Sequence, residues 1–270
     1  MKVLIFACLV FVFSVTPATG QIDDASTLEQ RQPLELMFAD SIVPQDRHEM
    51  MLTTGAWYSR QRSLQDGQLT QKAEWGISDK LQISAFANPF HISNSAGKNV
   101  TGPGDFDLGA RYTWVNVGSR FTHVALALEA GFPSGDPLTG MGDGAFGLSP
   151  SILLSHEFSN GRYQAFSTIG FDFILARRRL DPANEIPRHE FFVNSGFSAR
   201  AGRGWAVTEL SVSNNGWSGG DDTQVALTPS YVWRLARRTE LLLGIPVGLT
   251  SSTNRIGATA KFTFELGGEP

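Results

Sequence analysis

The chain has 270 residues with a net charge of −4, and 18% of them are charged, 41% hydrophobic and 11% aromatic. It contains 28 glycines and one cysteine. Ordinary soluble domains have about 25% charged residues and about 7% glycine. The composition excludes a disordered chain, which would have fewer aromatics, and also a disulfide-rich scaffold and a strongly basic nucleic-acid-binding protein. A chain of this length that is rich in glycine and aromatics favours β-structure.

Residues 1–20 have the pattern of a secretory signal peptide. Lys2 provides a positive start, and the apolar run of residues 3–15 is followed by small residues and then by a polar one. The run is too short to span a bilayer comfortably, so a retained membrane anchor is the weaker alternative. Cleavage would remove Cys8, the only cysteine, and leave 21 positive against 26 negative residues. We therefore predict an exported, cysteine-free mature protein.

The rest of the chain divides into a short polar segment and a long region of alternating residues. Residues 21–47 are polar and irregular, and we predict a periplasmic N-terminal lead-in there. Residues 48–266 alternate apolar with small or polar side chains, which is the period of half-buried strands. Residues 267–270 form a C-terminal tail. We predict twelve strands, centred near residues 54, 73, 85, 109, 127, 151, 169, 195, 209, 229, 244 and 260.

The connections between the predicted strands alternate in length, as they do in bacterial outer-membrane barrels. Short turns are predicted near residues 78, 118, 160, 202 and 237, and longer loops near 60–68, 89–103, 133–144, 176–188, 214–222 and 250–254. Aromatic residues occur where the strands meet the short turns, which is typical of an interfacial girdle. The predicted girdle consists of Trp75, Trp114, Phe121, Phe158, Tyr163, Trp205, Trp233 and Phe264.

The chemistry of the two strand faces favours a membrane barrel. The polar faces are rich in Gly, Ser, Thr and Ala rather than in Lys and Glu, which suits a wet lumen better than a solubilising surface. A soluble β-sandwich or a lipocalin-like binder is the alternative fold. We predict an all-β fold, a closed antiparallel transmembrane β-barrel of about 12 strands with short periplasmic turns and longer extracellular loops.

One stretch resembles a known family. Residues 102–112, Gly-Pro-Gly-Asp-Phe-Asp-Leu-Gly-Ala-Arg-Tyr, are similar to the Gly-x-Gly-Asp-x-x-Leu-Gly-x-Lys/Arg-Tyr signature of outer-membrane transporters named for the meta-pathway of phenol degradation. The similarity continues through the Phe-Pro-Ser-Gly-Asp run of residues 132–136 and covers about residues 102–175. It implies an outer-membrane channel of undefined substrate. The motif residues are Gly102, Gly104, Asp105, Leu108, Gly109, Tyr112, Pro133, Gly135 and Asp136.

The predicted function is passive or facilitated passage of a small solute through a narrow polar lumen in the outer membrane of a Gram-negative-type cell. Twelve strands predict a pore that is narrow or partly occluded by loops or by the 21–47 segment. Expected partners are outer-membrane lipids, the barrel-assembly machinery and an unknown small solute, with no nucleic acid and no cofactor. A non-conducting structural or adhesive surface barrel, whose long loops bind a partner, is the alternative. The ionisable residues predicted to line the lumen are Asp105, Asp107, Arg111, Glu129, Glu157, Asp172, Glu209, Arg234, Arg255 and Lys261.

Enzyme and metal chemistry have weak support in the sequence. The run from His156 to Arg162 resembles the His-x-Ser-Asn-Gly-Arg run of outer-membrane phospholipase A, which leaves a lipid hydrolase as a remote alternative. His156 and Ser159 are three residues apart instead of two, so they would face opposite sides of a strand, and we predict no enzyme. No pair of histidines has metal-ligand spacing. Acidic loop residues could hold calcium, although turn chemistry explains them equally well: Asp136, Asp143, Asp221 and Asp222.

Overall fold

The computed structural model describes most of the chain beyond the predicted signal peptide. The described ranges are 32–61, 64–95, 98–119, 121–159, 161–177, 189–215, 223–250, 253 and 256–267. The signal peptide predicted for residues 1–20 lies outside the described residues. So do Arg255, Asp221, Asp222 and most of the predicted tail of residues 267–270.

The described residues form one antiparallel sheet of fourteen strands. In chain order the strands are β1 Met50–Gln61, β2 Leu64–Gly76, β3 Leu81–Ser95, β4 Lys98–Gly102, β5 Phe106–Trp114, β6 Thr122–Phe132, β7 Ala145–Phe158, β8 Tyr163–Arg177, β9 His189–Ala201, β10 Gly204–Asn215, β11 Thr223–Ala236, β12 Thr239–Gly244, β13 Val247–Gly248 and β14 Ile256–Leu266.

The sheet closes on itself into a barrel. β1 pairs with β2 on one side and with β14 on the other, in register from Met50–Leu266 to Arg60–Ile256. Two strands are additional to the twelve that form the wall. β4 pairs only with β3, and β13 continues β12 after an interruption at Pro246, whose ring nitrogen has no hydrogen to donate. The predicted class, a closed antiparallel barrel of about 12 strands, is confirmed.

The alternation of the sequence appears as an apolar exterior and a more polar interior. On β6, Leu126 and Leu128 are 48% and 49% exposed, whereas His123 and Ala125 on the other face are fully buried. β5, β7 and β14 repeat this arrangement, with Leu108, Ile152 and Phe262 outside. Because large apolar side chains cover the outer surface, the barrel has the polarity expected for contact with lipid. Among the described residues no helix is long and apolar enough to cross a membrane.

Two of the predicted long loops are strand instead. β1 and β2 extend through most of residues 60–68, and β3 and β4 together occupy most of residues 89–103. The prediction of open loops was wrong there. A membrane strand needs about 9–11 residues, while β3 has 15. The apolar outer face of β3 continues through Phe90 and Ile92, which are 47% and 38% exposed, and only beyond them are both faces polar, while the backbone stays paired with β2 and β4.

The aromatic side chains divide between the exterior and the lumen. Trp75, Trp114, Phe158 and Trp233 are exposed on the outer surface near the short turns. Trp205 was predicted to join them, and this was wrong, because it is 2% exposed and faces the interior. The reason is its position at the start of β10, where it shares the inward face with residues that pack inside the barrel.

Candidate functional site: the barrel lumen

Residues 32–47, which precede β1, are called the lumen segment below; residues 32–45 lie inside the barrel, and Arg47 is exposed. Its apolar side chains are buried, with exposed fractions between 2% and 4%: Leu34, Leu36, Ala39, Ile42 and Val43. The periplasmic lead-in expected for residues 21–47 is therefore, over the described residues, a segment within the lumen. The apolar side chains explain this position, because in an outside segment they would be exposed to water.

The lumen segment enters and leaves at the short-turn end of the barrel. At one end, the backbone N–H of Gln45 donates to Gln82; at the other, Gln32 donates to Glu157 at 2.6 Å. The middle reaches furthest inward, where Asn194 donates to the carbonyl of Phe38. The two arms are joined by the hydroxyl of Ser41, which donates to the carbonyl of Pro33. The segment therefore closes the lumen on the short-turn side.

Glu209 holds the turn of the lumen segment through three backbone groups. Its carboxylate accepts hydrogen bonds from the backbone N–H groups of Met37, Phe38 and Ala39, at 2.8, 3.0 and 2.9 Å. Glu209 has no solvent exposure. Burial of a carboxylate is unfavourable unless hydrogen bonds replace its hydration. The three N–H groups supply that replacement, so the position of Glu209 and the fold of the segment depend on each other.

Lys261, three strands away on β14, holds the same turn. Its ammonium donates to the Glu35 carboxylate at 2.9 Å and to the carbonyls of Leu36 and Met37 at 2.6 and 3.2 Å. Glu35 also lies 3.6 Å from Lys72. The pKa of Glu35, which lies outside the strands, would be raised by burial, but Lys261 and Lys72 hold it below the ordinary value of 4.5. Glu35 is thus a buried carboxylate kept ionised by two lysines.

The floor of the lumen is a balanced network of charges. Lys72 also contacts Asp40 at 3.1 Å and Glu74 at 3.3 Å. Arg111 lies 3.7 Å from Glu74 and donates to the carbonyl of Val43. With Glu35 and Lys261 the network contains three carboxylates and three cations. This equality leaves the floor close to neutral.

The first half of the lumen segment is fixed by a second ion pair and by apolar contacts. Arg234 pairs with Glu240 at 2.6 Å and donates to the carbonyl of Gln32. Glu240 accepts the backbone N–H of Leu34. The guanidinium of Arg234 lies 4.6 Å from the ring centre of Trp205. The buried apolar cluster around this ring contains Leu36, Ala39, Phe166, Trp205, Val207, Val232 and Leu242.

Beyond the lumen segment, toward the long hairpins, the barrel contains a cavity of about 370 Å³. Phe38 and Asp40 of the lumen segment contribute to its floor. Its wall carries carboxylates from three strands, Glu129 on β6, Asp172 on β8 and Glu190 on β9. We call this space the acidic cavity. It separates the lumen segment from the end of the barrel at which the long hairpins lie.

The structure places nine of the ten predicted lumen residues within described strands or beside them, and Arg255 lies outside the described residues. Glu157, Glu209, Arg234, Lys261 and Arg111 contact the lumen segment. Glu129 and Asp172 line the acidic cavity. Asp105 and Asp107 lie nearer the long-hairpin end of the barrel wall. Sequence reasoning missed several residues that act with them: Lys72, Glu74, Gln82, Glu190, Asn194 and Glu240.

Two of the strands that carry missed residues, β2 and β12, have a weak alternation. β2 carries polar residues on both faces, so its period-two phase is ambiguous and Lys72 and Glu74 could not be assigned to the lumen. β12 has only six residues, too few for a clear alternation around Glu240. Glu240 was also hidden by its place beside a short turn. The available signal for Glu240 was a carboxylate followed directly by three leucines.

The family-like motif binds the loop between β6 and β7 through Asp105. Asp105 accepts hydrogen bonds from the backbone N–H groups of Gly135 and Asp143, at 2.8 and 2.6 Å. A Cβ atom at Gly135 would clash with the carbonyl oxygen of Met141, and one at Gly102 would press on the Met141 side chain. The Gly-x-Gly-Asp and Pro-x-Gly-Asp stretches therefore close on each other across the loop.

The remaining motif residues have separate roles. Leu108 and Tyr112 are exposed on the outer face. Gly109 faces the lumen, where a Cβ atom would clash with the hydroxyl of Ser84. Pro133 begins the loop after β6, and Asp136 stabilises it by accepting the backbone N–H of Leu138. Most of the motif thus shapes the loop and the strand that borders it.

His156 and Ser159 of the hydrolase-like run have separate positions in the structure. The Nδ1 atom of His156 lies 2.9 Å from the hydroxyl of Thr122, and the ring of His156 packs on Phe158. Ser159 belongs to the β7–β8 turn, where it has a φ of 50°. Within the described ranges no group of three His, Cys, Asp or Glu residues is placed to hold a metal ion.

Comparisons with known proteins place the fold among membrane barrels. No family model matches the sequence. No curated protein matches it either. An outer membrane channel from Pseudomonas putida F1 has a TM-score of 0.69 at 8% identity and covers 82% of this chain and 96% of its own. NanC porin has a TM-score of 0.57 at 10% identity, covering 80% of this chain and 100% of its own. KdgM porin in complex with disordered oligogalacturonate has a TM-score of 0.50 at 4% identity, covering 80% and 99%. At such identities the likeness establishes the fold.

Proposed function

We propose that the protein is a channel of the bacterial outer membrane and that a small solute passes through its lumen. The observation that carries the proposal is the polarity of the closed barrel, which presents apolar side chains such as Leu126 outside and encloses a polar cavity. A closed barrel leaves no unpaired sheet edge in the lipid. Two structures of similar fold are described as an outer membrane channel and a porin, which supports the proposal.

The route through the barrel needs a displacement of the lumen segment. Residues 32–47 occupy the short-turn half of the lumen, and Glu209 on β10 and Lys261 on β14 both bind the turn of the segment. Every contact between these two residues and the segment involves backbone or ionic groups, which water can replace when the segment moves. We therefore assign the lumen segment the role of a gate, with the acidic cavity as the compartment on its outer side.

The cellular setting of the channel belongs to the same proposal. The signal peptide of residues 1–20 would direct export, and the barrel-assembly machinery would insert the chain among outer-membrane lipids. The short turns would then face the periplasm. Membership of the family named for phenol degradation rests on the motif of residues 102–112 and remains a prediction.

Conductance in planar lipid bilayers tests the channel directly. The purified full chain should give discrete single-channel steps, and proteoliposomes should swell in small sugars or amino acids. Steps should be small and intermittent, because the lumen segment has to leave its contacts with Glu209 and Lys261 before the path opens. Complete absence of current, together with absence of swelling, would contradict the channel.

A non-conducting surface barrel is the second candidate, and the lumen segment is the observation that favours it. A permanently docked segment would make the lumen a rigid core instead of a path, with function residing in the outer hairpins. Lys261→Met separates the two candidates. A gated channel should conduct more when the ammonium that binds Leu36 and Met37 is removed, whereas a rigid barrel should stay silent.

A further inference from the structure

We infer that the acidic cavity is a binding site for a small organic ammonium ion. The inference rests on the proposed function in one respect, since it names the class of solute that the channel would admit. It depends on three observations: the charge of the cavity wall, a buried hydroxyl without a partner and an aromatic side chain beside the carboxylates.

The charge balance of the lumen leaves the cavity wall negative. The floor network balances Glu35, Asp40 and Glu74 against Lys72, Lys261 and Arg111. Above it, Glu129, Asp172 and Glu190 line the wall, and among the described lining residues the only basic ones are Lys72 and Arg111 of the floor. Carboxylates that face a confined space attract cations and repel anions. A cation is the ligand that compensates this wall.

A buried hydroxyl gives an independent indication of a ligand. Thr168 lines the cavity, is only 3% exposed, and its Oγ1 atom makes no hydrogen bond within the protein. Buried polar groups normally have a hydrogen-bond partner. Thr168 lies on β8, on the same face as Asp172 but about 13 Å further along the strand, so a ligand that reaches both side chains needs two donor groups. An ammonium group is one such donor group.

The arrangement favours an organic cation over a metal ion. Within the described residues no three acidic or histidine side chains converge closely enough to hold a metal. The carboxylates come from β6, β8 and β9 and are spread around a space of about 370 Å³, which is within the range of ordinary small-molecule sites. Phe192 lies among them, and an aromatic face attracts an organic ammonium.

The floor determines where in the cavity the cation binds. Arg111 also lines the cavity, its Nε atom has no hydrogen-bond partner, and the cationic guanidinium repels an ammonium group. The site therefore lies on the wall formed by β6, β8 and β9, on the long-hairpin side of Arg111, which is paired with Ala127 of β6. A diamine long enough to contact two of the wall carboxylates should bind better than a monoamine.

Isothermal titration calorimetry of the detergent-purified full chain with putrescine tests the inference at about pH 8, where carboxylates and amines are both charged. Each of Glu129→Gln, Asp172→Asn and Glu190→Gln should weaken binding roughly fivefold, the value of a partly exposed charge pair. Thr168→Val should weaken it by a similar factor. Asp79→Asn removes the same charge from an exposed short turn and should leave binding unchanged.

Three outcomes would overturn the inference. They are no heat of binding with putrescine, binding as tight as wild type by a variant that combines the three carboxylate substitutions, and binding of calcium in preference to putrescine. Heat-modifiable gel migration of each variant shows that its barrel is folded before it is titrated. Titration in detergent requires no conduction. A silent protein that binds putrescine would therefore refute the channel and leave the site, and a conducting protein without binding would refute the site alone.

Discussion

At the scale of residues, the lumen is organised by charged side chains that bind backbone groups. Glu209 accepts three N–H groups and Lys261 donates to two carbonyls of the same turn. Charged groups suit this task because they bind main-chain dipoles of any sequence, and hydrogen bonds to charged groups are worth about 1.5–3 kcal/mol. The turn of the segment is thereby held mainly through its backbone, and Glu35 is the side chain that Lys261 also binds.

Glu209→Gln should loosen the lumen segment. The amide has one acceptor oxygen and two donor hydrogens, so at least one of the three N–H groups would face a donor, at a cost of about 1–3 kcal/mol. The measurement is the labelling rate of an Ala39→Cys reporter by a water-soluble maleimide, which should rise relative to the same reporter in the wild-type background. Glu190→Gln, in the same lumen without a contact to Ala39, is the control. Unchanged labelling in the Glu209 variant would contradict this role.

The orientation of β6 makes a second prediction at this scale. Leu126 is on the outer face and Glu129 on the inner face. Arginine on a lipid face near mid-bilayer costs about 2–4 kcal/mol, whereas the lumen tolerates charge better. Leu126→Arg should therefore lower the free energy of unfolding in lipid vesicles by about that amount, and Glu129→Arg by less. Equal losses in urea titrations would mean that the faces are reversed.

At the scale of elements, two irregular segments, the lumen segment and the β6–β7 loop, are held in place by side chains of the barrel wall. The lumen segment depends on wall residues far away in sequence, such as Lys261, which is 226 residues from Glu35. The β6–β7 loop depends on Asp105 through the N–H groups of Gly135 and Asp143. In both cases one charged side chain satisfies several groups of an irregular backbone.

Asp105→Ala should release the β6–β7 loop without unfolding the barrel. Gly135 and Asp143 would lose the acceptor of their N–H groups, while the strand pairing of β5 with β6 would remain. Limited proteolysis should then cleave within residues 133–144 faster than in the wild type. Asp107→Ala removes a carboxylate from the same face of β5 and should not accelerate cleavage. Faster cleavage in both variants would mean that the two hydrogen bonds to Asp105 are not what holds the loop.

The lumen segment should loosen in acid. The pKa of Glu35 is lowered in the docked state, so its ionised form stabilises docking at every pH above the ordinary value of 4.5. That contribution is lost as the pH falls through the lowered pKa. Maleimide is unsuitable in acid, so release is followed by pepsin cleavage of residues 32–47. Lys261→Met removes a cation beside Glu35 and should move the release to higher pH; an unshifted release would contradict the role of this pair.

At the scale of the whole molecule, the sequence predicted what depends on local periodicity. The twelve strands and the outward face of residues such as Leu126 follow from alternation, which neighbouring residues encode. Occlusion of the lumen by the 21–47 segment was one expectation, but the positions of Leu36 and Ile42 were not predictable from alternation, because their contacts come from strands throughout the chain. Lys72 and Glu74 were missed for the related reason that a polar strand has no visible inner face.

The claim that residues 32–47 form a removable gate is tested most directly by a reversible cross-link. Ile42 and Ala125 belong to one buried cluster, and the only native cysteine, Cys8, lies in the predicted signal peptide. The single-channel conductance of an Ile42→Cys/Ala125→Cys variant should disappear under oxidation and return on addition of a reductant, with the wild type insensitive to both. Equal conductance of the cross-linked and reduced forms would show that solutes pass without movement of the lumen segment and would contradict the gate.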